Sequence, residues 1–475
     1  MKMFTRRESL ALAALSAAIL FDALDLSITQ VALPKIGDDL GLASGVLQWV
    51  PNAYVLTYGG LLLLGGRLAD VLGRRRTFLG GLVLFGVMSL ICGLAANAAL
   101  LVAARAVQGI GAALTVPAAV SIIAATFAEG TVRNRAMGIF GASAAAGFSV
   151  GLVLGGVLTD ALSWRWIFLV KVPVVLAAAV IARRAVEEGR AQTRPASYDI
   201  AGALSSVSAV LLLVLGITQL GQRTLPVPLV AAAGVTGTAL LVAFAINEHR
   251  AREPLLPPQL LSLPTVRAVN LASLTVLAAP FGLSYVTTLW MQEALGYSAL
   301  ATGFALLPGA ALSIATSRFV APAVVGRFGL RASASAAMVI VSAGFLVMLG
   351  LGSQAHYATV LLPATIVCLG LGMGTAYPMY TIGSVTGVDP EHHGVAAGMQ
   401  NTALQLGAGI GLAVVSAAVS AGLGGARTGE PLLHALRVGV IVGAVLPLVG
   451  AAITFIGLRS PARDRTTPAT GSEHA

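Results

Sequence analysis

Two aspartates, Asp22 and Asp25, stand well inside an apolar run, LALAALSAAILFDALDLSITQVALP at 10–34. At about 1.5 Å of rise per residue such a run is long enough to cross a bilayer as a helix. A charge there costs about 2.5–3.5 kcal/mol on insertion scales, so an acid inside a span faces a cavity, a partner or a substrate. With Thr29 the two acids follow i, i+3, i+7, which puts all three on one helical stripe. A polar stripe on an otherwise apolar helix points at water or a ligand inside a bundle; the plainer alternative is pairing with a neighbouring helix for packing alone. Arg105 is the third charged candidate, within LLVAARAVQGIGAALTVPAA, where Arg105, Gln108, Ala112 and Thr115 share a face. An acid and an arginine in one cavity form a pair that proton binding can release, which is a coupling device. A static buried ion pair is the alternative.

The elements that must position these groups are membrane spans. Of 475 residues, 57% are hydrophobic and only 10% charged, against about a quarter charged in a soluble protein. The net charge of +10 lies in short connections between apolar runs, with no basic patch interleaved with aromatics, so nucleic-acid binding is not expected. Cys92 and Cys368 fall in separate apolar runs and give neither a disulfide framework nor a metal site. The six histidines show no ligand spacing, so no metal and no cofactor is expected, and no phosphate-binding G-x-x-x-x-G-K-[ST] loop is present for an ATP-driven pump. A channel would need charge rings or a filter, and an enzyme a nucleophile–base pair; neither pattern stands out. The basic start, MKMFTRRES, reads as the cytoplasmic lead into a permanent first helix.

Fourteen apolar runs of spanning length follow one another from 10–33 to 434–458. With a cytoplasmic N-terminus, 21 of the 29 lysines and arginines fall on the cytoplasmic side and only Lys35, Arg165, Arg223 and Arg427 opposite. Both termini are therefore expected in the cytoplasm. Two spans without charge, 199–219 and 227–246, lie between the longest cytoplasmic connections. The expected layout is a six-helix half at 1–198, an accessory helix pair at 199–246, a second six-helix half at 247–458 and a disordered cytoplasmic tail at 459–475. A weak internal echo supports the halves: GRLADVLGRRR after the second span and PAVVGRFGLRA after the tenth.

The first of these echoes, with Gly66, Asp70, Gly73, Arg74 and Arg75, matches the pattern G-x-L-x-D-x-x-G-R-[RK] and resembles the loop signature of the major facilitator superfamily. Its glycines permit a tight turn, and Asp70 with the arginines could latch two halves on the cytoplasmic side. In the second echo Gly326 stands at the acid's place and Pro322 at the first glycine's, so a latch there is degenerate. Arg105 to Gly109 resembles the superfamily's R-x-x-Q-G motif, whose arginine is assigned to proton coupling. Gly147, Gly151, Gly155 and Gly156 resemble the antiporter signature of exporters, with Leu152 where that signature has proline. LDLSITQVALP, with Asp25 at the acid position and Asp22 as an extra acid, is similar to the first-helix signature of fourteen-helix drug:proton antiporters. Trp164-Arg165-Trp166-Ile-Phe resembles the same family's W-R-W-I-F-x-x-N-x-P, with Lys171 in place of asparagine. The stretches 289–308 and 394–414 look like its ninth and thirteenth helices. Phe281, Tyr285, Thr288 and Gln292 share a face, as do Asn401 and Gln405; they line a cavity or bond helices together.

The resemblance implies an all-α integral membrane protein with the major facilitator fold and 14 transmembrane helices, monomeric in the cell membrane. It implies a secondary active exporter of the multidrug efflux type, exchanging protons for small amphipathic molecules by alternating access. A dedicated exporter of one endogenous metabolite or antibiotic is the runner-up, and a proton-coupled importer comes after it.

Overall fold

The computed structural model describes residues 4–42, 44–128, 130–188, 200–222, 225–250, 258–352, 357–389, 392–423 and 429–458. Among them all regular structure is helical. The long helices are α1 (Arg6–Leu40), α2 (Trp49–Leu72), α3 (Arg74–Gly93), α4 (Ala98–Thr126), α5 (Thr131–Ala161), α6 (Trp166–Ala185), α7 (Ile200–Gln222) and α8 (Val227–Arg250). They continue as α9 (Pro264–Ala294), α10 (Ala299–Gly350), α11 (Leu361–Val385), α12 (His393–Leu423) and α13 (Glu430–Gly457). Among the described residues twelve of these helices are long and apolar enough to cross a membrane, which makes the chain a multi-pass membrane protein. The expected tail at 459–475 and the boundary at 198 lie outside the described residues, and α8 runs past the expected boundary at 246 to Arg250.

The sequence dictates where helices start and turn. α1 opens on a capping box, in which the Thr5 hydroxyl accepts from the Glu8 amide while Glu8 accepts from the Thr5 amide. It closes on Gly41 at φ +62°. Gly73, at φ +99°, makes the turn between α2 and α3, a conformation that an L side chain rarely adopts. The 52-residue α10 breaks in the same way at Gly329, φ +77°, giving two arms at 299–328 and 330–350.

The helices pair by one scheme used twice. α1 packs on α5, α2 and α3 pack on α4, and α6 packs on α1 and α3. Likewise α9 packs on α12, both arms of α10 pack on α11, and α13 packs on α9 and the second arm. The two sets meet where α5 lies on the first arm of α10 and α12 lies on α2. α7 and α8 pack on each other, and α7 rests on both α2 and α12.

Glycines set the closest of these approaches, as expected where lipid gives helices no hydrophobic reason to associate. A Cβ on Gly147 would lie 2.2 Å from the Leu20 carbonyl oxygen, one on Gly151 2.1 Å from Ser27 Oγ, and one on Gly155 2.9 Å from the Ile28 carbonyl oxygen. Three turns of α5 are thus seated directly on the acid-bearing α1. Gly156 turns the other way and meets the backbone of Leu300 on α10. Gly303 on α10 in turn meets the carbonyl of Leu152, the residue standing where the antiporter signature has proline.

Candidate functional site

The acid stripe of α1 is divided between two environments. Asp25 is fully buried and accepts from Arg105 Nη1 of α4 on one carboxylate oxygen and from Lys171 Nζ of α6 on the other. Arg105 is held further: its Nε donates to the Val50 carbonyl at 2.9 Å and Nη1 to Gln108 Oε1 at 2.8 Å. Aromatic rings complete the cage. The Arg105 guanidinium lies 4.4 Å from the Tyr54 ring centre, and Lys171 Nζ lies 4.8 Å from that of Phe168. One acid between two cations makes a closed, buried network with one positive charge in excess, and among the described residues Arg105 Nη2 and Gln108 Nε2 have no hydrogen-bond partner.

Asp22 lies one turn earlier and faces elsewhere. Its carboxylate accepts from the Tyr54 hydroxyl, and Tyr58 and Gln405 line the same cavity as Asp22. Residues three apart on a helix point about 60° apart, which is enough to send Asp25 toward α4 and α6 while Asp22 turns toward α2 and the centre. Tyr54 joins the two environments, with its hydroxyl on Asp22 and its ring under Arg105.

Asp22 lines a central cavity of about 850 Å³ between the two sets of helices. Its walls are mainly apolar and aromatic, with Phe140, Phe148, Phe281, Tyr58 and Tyr377 among them. Asn401 and Gln405 line it as the sequence suggests. The other candidates stand elsewhere. Asp25, Arg105 and Gln108 belong to the closed network, and the Thr29 hydroxyl bonds the Asp25 carbonyl of its own helix at 2.8 Å. Tyr285 and Thr288 are buried away from the cavity, although Phe281 of the same face reaches it. Gln292 donates to the Val31 carbonyl at 3.0 Å and so bonds α9 to α1. The stripe on α9 is read correctly as a face, but only its first turn meets the open space.

The cavity borders on an apolar cluster at Ala310. Val31, Leu152, Ala299, Leu306 and Ala310 form an apolar cluster from α1, α5 and α10. Beside it the Asp160 carboxylate accepts from the Leu300 amide at 2.9 Å, capping the first turn of α10 from α5.

The loop signature is placed in part. Gly73 makes the turn, Arg74 Nη1 reaches the Ser121 carbonyl at 3.4 Å, and Arg75 Nη1 reaches that of Val186 at 3.3 Å, which ties α3 to the ends of α4 and α6. Gly66 approaches Pro117 no closer than ordinary contact. The side chain of Asp70, on which the expected latch depends, lies outside the described residues.

The match to known families decides what this architecture is: the sequence fits the family description Major Facilitator Superfamily over residues 15–412. The chain belongs to the major facilitator superfamily. Similar superfamily members include the cephamycin export protein CmcT of Amycolatopsis lactamdurans, 39% identical over 94% of this chain and 90% of that one. The puromycin resistance protein pur8 of Streptomyces alboniger is 35% identical over 96% and 92%, and the multidrug transporter protein MdtP of Bacillus subtilis 31% over 90% and 79%. In fold the chain is similar to a bacterial homolog of the human lysosomal transporter Spinster in an inward-facing, unoccupied conformation (TM-score 0.68, 17% identity, 97% of this chain and 100% of that one). A POT family transporter bound to a thioalcohol-conjugated peptide is similar at TM-score 0.70 and 14% identity, over 94% and 95%.

Three parts of this major facilitator site have no place among the sequence-derived candidates. Lys171 stands out in the sequence only as a departure from a motif, yet a lone lysine inside a span needs an acid, and Asp25 is that acid. Tyr54 and Tyr58 look like ordinary aromatic filling of an apolar run. Asp39, near the end of α1, accepts from Trp164 Nε1 at 3.0 Å and Arg165 Nη1 at 2.7 Å, which explains the W-R-W stretch as an anchor for α1.

Proposed function

We propose that the protein is a secondary active exporter that couples proton influx to the efflux of amphipathic drugs or metabolites by alternating access. The observation that carries this reading is Asp22, the acid of the central cavity, hydrogen-bonded to a tyrosine that also stacks on the buried Arg105. A proton or a cationic substrate group arriving at Asp22 changes what Tyr54 binds, and Tyr54 passes that change to the Arg105–Asp25–Lys171 network joining α1, α4 and α6. Competition of proton and substrate for one carboxylate gives exchange without ATP. Asp25, matched by two cations, serves as the fixed counter-ion rather than the proton carrier.

The layout proposed for this cycle is two six-helix halves, 1–198 and 247–458, rocking about the cavity, with the pair at 199–246 as an accessory. Dividing α10 at Gly329 and adding α2 to the twelve apolar helices makes fourteen crossings. The excess of basic residues on one side supports cytoplasmic termini, and the proposed protein is a monomer of the cell membrane. On that topology the lining residues Val120, Phe140 and Arg318 lie toward the cytoplasmic ends of their helices, which supports an inward-facing arrangement. A narrower reading, export of one endogenous compound, is supported by relatives named for single antibiotics.

Everted vesicles test the reading. With a proton gradient imposed, amphipathic compounds should discharge the gradient in wild type and fail to do so in Asp22→Asn. Retained exchange in Asp22→Asn would sink the assignment of the proton to this acid.

A further inference from the structure

Among the described residues the cavity lining carries two charges, one acid, Asp22, and one base, the exposed Arg318. Arg318 lies on the first arm of α10, where Ala310, Ser313, Ile314, Ser317 and Arg318 all face the cavity at i, i+3, i+4, i+7 and i+8. The helix is wound as a π-helix at Thr316–Val320, a local rewinding frequent at functional sites. Of the two other π segments, at Trp290–Ala294 and Ile366–Met373, the latter supplies Leu369 and Met373 to the same cavity.

Among the described residues Arg318 makes no ion pair and no hydrogen bond; its guanidinium lies 5.7 Å from the Phe319 ring centre, and no carboxylate of the second half lines the cavity. Of the other cations within spans, Arg105 and Lys171 are matched by Asp25, and Arg437 donates to the Leu351 carbonyl at 2.9 Å. An arginine that only marked the cytoplasmic side would have no need to share a stripe with two cavity-facing serines.

The two charges stand on different helices of one cavity, Asp22 on α1 and Arg318 on the first arm of α10, and Phe140, Phe148, Phe281, Tyr58 and Tyr377 also line it.

We infer that the cavity selects zwitterionic amphiphiles, seating the cationic group at Asp22 and the anionic group at Arg318. Arg318 is then a specificity-determining residue: it rewards a carboxylate, sulfonate or phosphate on the substrate, and it repels simple cations that Asp22 alone would accept. The inference rests on the exporter reading above for its direction of transport, but the binding preference stands apart from it.

Matched dyes separate the possibilities. A rhodamine free acid is a zwitterion, and its methyl ester is a monocation of nearly the same shape. Fluorescence anisotropy with the full chain in nanodiscs should show the free acid bound more tightly than the ester. Arg318→Ala should weaken the free acid by about 10-fold while leaving the ester within about twofold, and Arg318→Lys should retain most of the preference. Arg318→Glu should reverse it. Equal affinities in wild type, parallel loss of both dyes in Arg318→Ala, or binding of neither dye would overturn the charge-pair site. Selective binding of the free acid with no gradient-driven movement of either dye in everted vesicles would instead overturn the exporter reading and leave the site standing.

Discussion

Gly147 and Gly151 of α5 grip α1 at Leu20 and Leu24, and Gly407 and Gly411 of α12 grip α9 at Leu274 and Ala278. The same spacing of 254 residues separates Leu20 from Leu274 and Leu24 from Ala278, so the two contacts superimpose the helices residue by residue. On that register Asp22 corresponds to Val276 and Asp25 to Ala279. All four are buried, yet the two on α1 are acids and their two counterparts on α9 are apolar. Backbone geometry is shared between the halves while the fully buried acids are confined to the first. A carrier needs only one titratable centre to couple its cycle to protons. The other wall stays mostly uncharged, with Phe281, Met373 and Tyr377 offering surfaces that adapt to different molecules.

The strongest break in this comparison is expected at Asp25. Asp25→Ala leaves Arg105 and Lys171 buried without their carboxylate, and removing one partner of a buried ionic network costs about 3–5 kcal/mol. Thermal unfolding in detergent should therefore show a large drop in melting temperature. A variant that melts with wild type would mean that the two cations find water, and the closed network would lose its standing. Asp22→Asn, which keeps a hydrogen-bonding group beside Tyr54, should melt close to wild type while losing exchange.

Much of this contrast is legible in the sequence, and the limit is physical. An acid inside an apolar run announces itself because the bilayer makes it costly, and a glycine repeat announces a close approach. Which of two acids one turn apart meets the cavity depends on neighbours contributed from residue 105 and residue 171. No local pattern shows that Lys171 reaches across to Asp25, since the asparagine-to-lysine change reads only as a mismatch. Tyr54 is equally silent: its ring suits any apolar helix, and its role comes from lying between Asp22 and Arg105. Helix counting works where runs are separated by charge and is less direct at Gly329, where one helix is merely broken.

The next effect should be equal in both halves. Gly151→Leu drives a side chain into Ser27, and Gly411→Leu drives one into Ala278, where a Cβ would already lie 2.3 Å from the alanine Cβ. Overpacking of this kind costs about 1–3 kcal/mol or more. Gly138, with nothing within 4 Å of an added Cβ, is the control and should tolerate leucine. Expression and melting temperature of the three variants decide the matter. If Gly151→Leu is harmful and Gly411→Leu harmless, the two grips are not equivalent and the residue correspondence built on them fails.

Lys171→Asn restores the residue found at that place in the family motif and should cost less. Asp25 keeps Arg105, and an asparagine amide can still donate to the freed oxygen. The loss is then that of one charged hydrogen bond, about 1–2 kcal/mol. A drop larger than that of Asp25→Ala would show that Lys171, rather than the acid, is the centre of the network.

The smallest effect tests the symmetry at its finest grain. Thr77 Oγ1 donates to the Leu68 carbonyl at 3.2 Å, and Ser333 Oγ donates to the Val324 carbonyl at 3.1 Å. Both bonds bridge the turns made by Gly73 and Gly329, and donor, acceptor and glycine are each displaced by 256 residues between the halves. The echo that looks degenerate in sequence, with Gly326 in place of Asp70, is therefore preserved in the turn itself. Thr77→Ala and Ser333→Ala each remove one buried hydroxyl bond, worth about 1 kcal/mol, so the two melting temperatures should fall by similar small steps. Their double variant should fall by the sum, because the sites share no partner. Equal costs at turns that differ in charge would place the difference between the halves in side-chain chemistry. A clearly larger loss at Thr77 would locate some of it in the backbone of the turn.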